Sequence, residues 1–145
     1  MGEASTNAQQ MTTNGGDAAQ VSPDGQWLYF TKREGVDGLW RMSIAGGAET
    51  RVVDSLYRYN YAVTARGVYY AALPANYTVS SARAPLPNRS SVVRYLDFAT
   101  NKTSDVMPID GRLDLGLCVS PDGKYLLFTK IDYLGADLML VEHFR

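Results

Sequence analysis

The sequence predicts an all-β chain, built from about three four-stranded antiparallel units. The main observation is an internal repeat, because Val21–Lys32 recurs as Val119–Lys130 with nine of the twelve positions identical. A weaker copy, Ala62–Ala71, lies between the two and keeps a glycine between two apolar strands. The distance from Gly25 to Gly67 predicts a repeat of 42 residues.

The first unit shows how local chemistry determines each element. In the turn Ser22–Gly25, proline presets φ at the second position, and glycine takes the positive φ that closes a hairpin. The β-prone run Trp27–Lys32 follows, and a loop leads to the alternating run Leu39–Ile44. A glycine pair then turns the chain into a fourth strand at Thr50–Val53.

The later units repeat this order. The predicted strands of the middle unit are Tyr59–Thr64, Val68–Ala72, Ser91–Asp97 and Thr103–Met107. Those of the last unit are Leu115–Ser120, Tyr125–Lys130 and Asp137–Val141. By residue propensity alone, Ala136–Phe144 is a candidate helix, but the repeat register predicts a strand there. The middle unit also carries an insertion, Leu73–Ser91, which is rich in proline and serine.

Four-stranded units at this spacing are typical of β-propeller blades, so we expect a partial β-propeller. Residues 1–16 are expected to hold a stray outer strand, Gln9–Thr12, and a linker. The expected limits are 17–54 for blade 1, 55–108 for blade 2 with its insertion at 73–91, and 109–145 for blade 3, which lacks a fourth strand.

Three blades are fewer than the roughly 4–8 with which propellers close. An open stack would expose apolar faces and unpaired strands at both ends, and such surfaces favour association. Two solutions follow. The chain is the C-terminal piece of a longer propeller, or two copies form a homodimer that closes a six-bladed ring, with Gln9–Thr12 completing the last blade.

Composition excludes several classes of protein. Of the 145 residues, 46% are hydrophobic and 20% are charged, which predicts a folded domain. The net charge of -1 lacks the basic excess of a nucleic-acid-binding domain. The single cysteine excludes an intrachain disulfide framework and a cysteine zinc site. We expect no membrane insertion, because no apolar run is long enough, and the first residues lack the pattern of a signal peptide.

The repeat resembles a known family. A Ser-Pro-Asp-Gly turn after an apolar strand occurs twice, at Ser22–Gly25 and Ser120–Gly123, and a glycine pair separates the last two strands of the first unit. This pattern resembles the TolB-type, WD-repeat-like β-propeller family of bacteria, from about Gln9 to the end of the chain. The ending Asp137–Arg145 looks like the C-terminus of large bacterial regulators that carry such a propeller after a winged-helix or kinase domain.

The resemblance implies a non-catalytic scaffold or sensor module that binds a protein or a small ligand. It also implies a periplasmic location, although no signal peptide is recognised. An alternative is an accessory propeller of a serine peptidase, similar to prolyl oligopeptidases, whose catalytic domain is absent here. A third possibility is a purely structural chain that serves to oligomerise.

Connectivity predicts which loops share a face. In an up-and-down blade, the loops between the second and third strands lie at the same end as the connections between blades. This places the insertion Leu73–Ser91 beside Asp54–Arg58 and Pro108–Asp114. The candidate binding residues on this face are Tyr57, Arg58, Tyr77, Arg83, Arg89, Arg112 and Asp114. Aromatic and arginine side chains are enriched at recognition surfaces, and an ordinary solvated loop surface is the alternative.

The search for catalytic and metal-binding residues is negative. The sequence has a single histidine, His143, and contains no Gly-x-Ser-x-Gly nucleophile motif. No catalytic residue is therefore predicted. Cys118 lies in an apolar run, so we expect a small buried hydrophobic residue there. Asp24, Asp110 and Asp122 each precede a glycine, which favours turn formation over calcium binding. We therefore predict no metal and no cofactor.

Overall fold

The computed structural model describes residues 8–32, 38–73, 91–132 and 135–143. Within these residues the chain forms twelve β-strands in three antiparallel sheets, and it contains no helix. The predicted fold class, an all-β partial propeller, is confirmed. We call the three sheets blade 1, blade 2 and blade 3 in chain order.

Blade 1 is a four-stranded sheet in simple up-and-down order. Its strands are β1 (Asp17–Val21), β2 (Trp27–Thr31), β3 (Leu39–Ser43) and β4 (Thr50–Val53). The expected outer strand at 9–12 is not formed within this chain, where these residues have no strand assignment. An outer strand needs a neighbouring strand edge, so its formation in an assembly remains a prediction.

Blade 2 follows with the same order. Its strands are β5 (Tyr61–Val63), β6 (Gly67–Ala71), β7 (Ser91–Asp97) and β8 (Lys102–Ile109). Most of the predicted insertion, residues 74–90, lies outside the described residues. Its two ends, Leu73 and Ser91, are therefore the described neighbours of any site that the insertion forms.

Blade 3 consists of β9 (Arg112–Leu113), β10 (Cys118–Val119), β11 (Tyr125–Asp132) and β12 (Gly135–Glu142). Strands β9 and β10 both pair with the same edge of β11, while β12 pairs with the other edge. Strand β12 contains the predicted strand Asp137–Val141 and confirms it over the competing helix. Within the described residues, β12 has no strand on its outer side.

The two Ser-Pro-Asp-Gly turns have the same hydrogen bonds. The Ser22 hydroxyl donates to Asp24 Oδ1 at 2.5 Å and accepts from the Trp27 N–H at 2.9 Å. In blade 3, Ser120 and Asp122 repeat these contacts. The pKa of both aspartates is lowered, mainly by the hydrogen bond from the serine hydroxyl and next by a backbone N–H. The sequence repeat is therefore a repeat of hairpin chemistry.

Two apolar clusters hold the blades side by side. Between blades 1 and 2, the buried residues include Tyr29, Leu39, Tyr61, Val68, Tyr70 and Leu96. Between blades 2 and 3, they include Tyr69, Ala71, Val93, Leu117, Leu126 and Phe128. Each cluster joins one face of a blade to the opposite face of the next blade, which is how a propeller buries its sheets.

Side-chain hydrogen bonds also join the first strands of neighbouring blades. The Gln20 amide of blade 1 donates to the Tyr61 carbonyl at 2.9 Å and accepts from the Val63 N–H at 3.2 Å. The Tyr61 hydroxyl donates to the carbonyl of Ala18 and, at 3.2 Å, to that of Tyr29. These bonds satisfy polar groups that the blade contacts remove from water.

Candidate functional site

The predicted binding face is only partly described. Arg58 and Asp114 form an ion pair at 3.8 Å, and the Arg58 guanidinium lies 5.6 Å from the centroid of the Tyr57 ring. Tyr57 is buried in the cluster between blades 2 and 3. The structure therefore brings these three predicted residues together, but Tyr57 contributes to the core and offers little surface to a ligand.

The other predicted residues lie outside this description. Tyr77, Arg83 and Arg89 fall in the insertion, beyond the described residues. The backbone of Arg112 lies in β9, but its side chain is not among the described ones. A binding role for this set of residues remains a prediction.

A bulge in front of β5 places Arg58 on this face. The Tyr57 N–H donates to the Ala71 carbonyl at 2.8 Å, and the Ala71 N–H donates to the Asn60 carbonyl at 2.9 Å. Two residues are thus extruded opposite Ala71, and Arg58 takes a φ of +54°. Bulges re-aim side chains at the ends of sheets, and this one turns Arg58 toward Asp114.

A cleft lies between blades 1 and 2 at the same end of the blades. Its volume is about 370 Å³, within the range of small-ligand sites. Its lining comes from β4 with the residues after it, from the end of β6, and from β7 and β8. The lining residues are Arg51, Val52, Val53, Asp54, Ser55, Tyr70, Ala72, Leu73, Arg94 and Thr103.

The charged residues that line this cleft are Arg51 and Asp54 of blade 1 and Arg94 of blade 2. Arg51 pairs with Asp54 at 3.3 Å, and Arg94 pairs with Asp105 at 2.8 Å. Both pairs are largely solvent-exposed, and such pairs contribute little to stability because water and salt screen them. A ligand carboxylate would have to replace these partners, and the Arg51 guanidinium also lies 5.2 Å from the centroid of the Trp40 ring.

The cleft lies at the end of the blades that connectivity predicts to carry the insertion, but the sequence reasoning did not select Arg51, Tyr70 or Arg94. These residues lie within strands, whereas the predicted binding residues were taken from the loops at one end of the blades. Strand pairing places Arg94 directly opposite Tyr70. An arginine in strand register with a buried tyrosine is the signal that could have pointed to them.

A second cleft, of about 550 Å³, lies on blade 2 near its β5–β6 turn. The rings of Tyr69 and Tyr95 contact each other within it, with centroids 4.5 Å apart and planes tilted by 36°. Asp97 also lines it, and the Thr100 N–H and hydroxyl lower the pKa of this carboxyl, with a smaller contribution from Arg66. The Asp97 carboxylate thus already accepts hydrogen bonds from the β7–β8 turn, which leaves the cleft with fewer acceptor sites for a ligand.

The prediction that Cys118 is buried is wrong. Cys118 is exposed, whereas Leu117 beside it is buried against blade 2. Successive residues of a strand point to opposite faces, and the face that carries Cys118 is not covered by another blade among the described residues. His143 is also exposed, after the end of β12.

No group of three or more histidine, cysteine, aspartate or glutamate side chains is placed to hold a metal ion in the described part of the chain. The same residues contain no helix long and apolar enough to cross a membrane. The turn aspartates Asp24 and Asp122 instead accept hydrogen bonds from their own turns.

Comparison with known proteins gives matches among solved structures only. No family model matches the chain, and no curated protein matches it significantly. One matching structure is described as "putative TolB" from Agrobacterium tumefaciens, with 14% sequence identity and a TM-score of 0.40. The match covers 90% of this chain and 59% of that one, so the chain spans less than two thirds of that structure.

Proposed function

We propose that this chain is a non-catalytic β-propeller module that binds a protein or small ligand at the end of the blades bearing the insertion. We also propose that it forms the C-terminal part of a larger bacterial regulator or TolB-like protein. The single observation that supports binding is the cleft of about 370 Å³ between blades 1 and 2. Its location matches the face that connectivity predicts to carry the insertion.

The chemistry of the cleft favours an anionic ligand. Arg51 and Arg94 line it from two different blades, so a ligand that carries carboxylates can be held from both sides. The rest of the exposed lining is largely polar. An acidic peptide segment fits a polar cleft that two arginines line, and it agrees with a role in binding a partner protein.

The test is a titration followed by two-dimensional ¹H–¹⁵N NMR. The probe is the peptide acetyl-Glu-Ala-Glu-amide, and the matched control peptide is acetyl-Gln-Ala-Gln-amide, which has the same shape without charge. We expect the acidic peptide to shift the amide signals of residues 51–55, 70–73 and 94. The glutamine peptide should leave these signals in place.

Substitutions identify the site. Arg51→Gln and Arg94→Gln remove the charges of the cleft, whereas Arg66→Gln removes an exposed arginine at the opposite end of blade 2. We expect each cleft variant to weaken binding at least tenfold, in line with the roughly 1.5–3 kcal/mol of a charged hydrogen bond, and Arg66→Gln to leave it unchanged. Equal binding by all variants, or shifts confined to other residues, would refute the proposal.

The described residues offer no specific support for the alternative, an accessory propeller of a serine peptidase. That activity would belong to a catalytic domain in another part of a longer chain. The binding proposal concerns only the cleft and can be tested on this chain.

A further inference from the structure

The outward face of blade 3 is an apolar sheet surface. Cys118 pairs with Leu127, and Leu127 pairs with Leu140, so these three side chains form one cross-strand row on the same face. Leu138 lies beside this row, opposite Thr129. Leu138 and Leu140 are 71% and 58% exposed, although both belong to a regular eight-residue strand. We call these residues the blade 3 face.

The repeat shows what covers this face elsewhere in the molecule. Leu138 pairs with Thr129, as Leu39 pairs with Thr31 in the first blade. The corresponding residue of blade 2 is Val93. Leu39 and Val93 are 0% exposed because the next blade packs over each of them. The position held by Leu138 is therefore one that a following blade buries.

The complementary half of this interface is on the other side of blade 1. Val21 corresponds to Val63 and Val119, which pack against the clusters between blades 1 and 2 and between blades 2 and 3. Val21 is instead 55% exposed. We call the side of blade 1 that carries Val21 and Leu28 the blade 1 face.

Part of the blade 1 side is already covered by the chain itself. Phe30 is buried there, and a Cβ placed on Gly16 would lie 3.3 Å from its ring, so the segment before β1 rests on it. Phe30 corresponds to Tyr70 and Phe128, both of which are buried between blades. The open part of the face is the region around Val21 and Leu28.

We propose that two copies of the chain dock the blade 3 face of each onto the blade 1 face of the other and so close a six-bladed ring. One chain carries both halves of a blade-to-blade interface, and two copies satisfy both halves at once. Six blades lie within the roughly 4–8 with which propellers close, whereas three copies would give nine. The contact continues the interfaces that already exist inside the chain.

Cys118 provides a direct probe, because it is the single cysteine and lies on the blade 3 face. The rate of its reaction with Ellman's reagent should fall at least tenfold as the protein concentration rises. Light scattering over the same concentrations should show the mass rising from 15.9 kDa to twice that value. The two transitions should have the same midpoint.

Variants of the two faces complete the test. Leu138→Asp and Val21→Asp place a charge on each face in turn, and Ala65→Asp places the same charge on the exposed β5–β6 turn. Leu138 and Val21 are exposed, so the folded chain tolerates both changes, which circular dichroism checks. We expect the two face variants to stay monomeric with a reactive Cys118, and Ala65→Asp to behave like the unmodified chain.

Three results would overturn the proposal. They are a monomer with reactive Cys118 at all concentrations, a mass that grows beyond two copies, and a dimer that both face variants leave intact. A monomer would assign the blade 3 face to another partner, such as a further blade of a longer chain. Peptide binding at the cleft between blades 1 and 2 is measured independently, so the two proposals fail separately.

Discussion

The side chain of Asn60 joins blade 2 to blade 3, because its Oδ1 accepts a hydrogen bond from the Gly116 N–H at 3.0 Å. The Nδ2 of Asn60 donates to the Tyr57 carbonyl at 3.1 Å, within its own blade. Asn60 is fully buried and Gly116 takes a φ of +117°. One amide thus stabilises the bulge before β5 and the corresponding irregular segment before β10.

Asn60→Ala should lower the free energy of unfolding by about 1–3 kcal/mol, since it removes the side-chain hydrogen bond to the Gly116 N–H and one of the two hydrogen bonds that the buried Tyr57 carbonyl accepts. Urea unfolding at neutral pH, followed by tryptophan fluorescence, measures the change. Asn14→Ala, at an exposed bend, is the matched control and should change stability by less than about 0.5 kcal/mol. Equal stability of the two variants would mean that the bridge between the blades is not formed in solution.

Gly25 and Gly67 require glycine for different reasons. Gly25 has a φ of +71° and open space around it, so Gly25→Ala should cost about 1–2 kcal/mol through backbone strain alone. At Gly67, a Cβ would lie 2.3 Å from the Leu96 carbonyl oxygen and 2.5 Å from the Tyr95 ring. Gly67→Ala should therefore lower the free energy of unfolding more than Gly25→Ala does, by about 3 kcal/mol or more, because the neighbouring backbone must move.

Thermal and urea unfolding of the two variants distinguish these causes. Gly123→Ala is a useful companion, because Gly123 has a φ of +69° in the second copy of the same turn. It should match Gly25→Ala within about 0.5 kcal/mol. A smaller cost for Gly67→Ala than for Gly25→Ala would contradict the close packing of β6 against β7.

High pH should destabilise the chain through Tyr61. Burial raises the pKa of this phenol well above its ordinary value of 10.0, and its hydroxyl donates to two carbonyls of blade 1. The unfolded chain releases the Tyr61 proton near the ordinary value, while the folded chain retains it. The contribution of Tyr61 to the free energy of unfolding is therefore complete below about pH 10 and is lost as the pH rises toward the raised pKa.

Stability measured between pH 8 and pH 11 tests this linkage. Tyr61→Phe should be less stable than the unmodified chain at pH 8, by about 1–2 kcal/mol for the lost hydrogen bonds. The gap should narrow as the pH rises, because phenylalanine cannot ionise. Tyr125→Phe, a partly exposed tyrosine in β11, is the control. A gap that stays constant over this range would show that Tyr61 ionises normally in the fold.

The sequence was sufficient for the strands because their signals are local. The serine, proline, aspartate and glycine of each repeat turn bond mainly to one another, so the same four residues form the same hairpin at both Ser22 and Ser120. Once the register was set by these turns, it also predicted a strand rather than a helix for β12. Local propensity alone would have favoured the helix.

Burial and the cleft could not be derived in the same way, because they depend on neighbouring blades. Cys118 lies in an apolar run, yet its exposure is decided by whether another blade covers that face. The cleft is lined by Arg51 and Arg94, which are 43 residues apart in the sequence and belong to two different sheets. Connectivity indicates which loops share an end of the blades, but not which strand residues line the cleft.

Acidic pH should weaken the two repeat turns. Asp24 and Asp122 have a pKa lowered by the Ser22 and Ser120 hydroxyls, and each also accepts a backbone N–H. Because the folded pKa lies below the ordinary value of 3.8, the stabilisation is present above that value and is lost as the pH falls through the lowered one. Protonation removes the charge that both hydrogen bonds favour.

The double variant Asp24→Asn with Asp122→Asn keeps a side-chain carbonyl in each turn but cannot ionise. It should be less stable than the unmodified chain at pH 6, and the difference should shrink between pH 4 and pH 2. Asp110→Asn, at an exposed aspartate that precedes a glycine outside the repeat, is the control. Urea unfolding across this pH range measures the difference in stability. A difference that grows at low pH would have the opposite sign and would disprove the role assigned to these carboxylates.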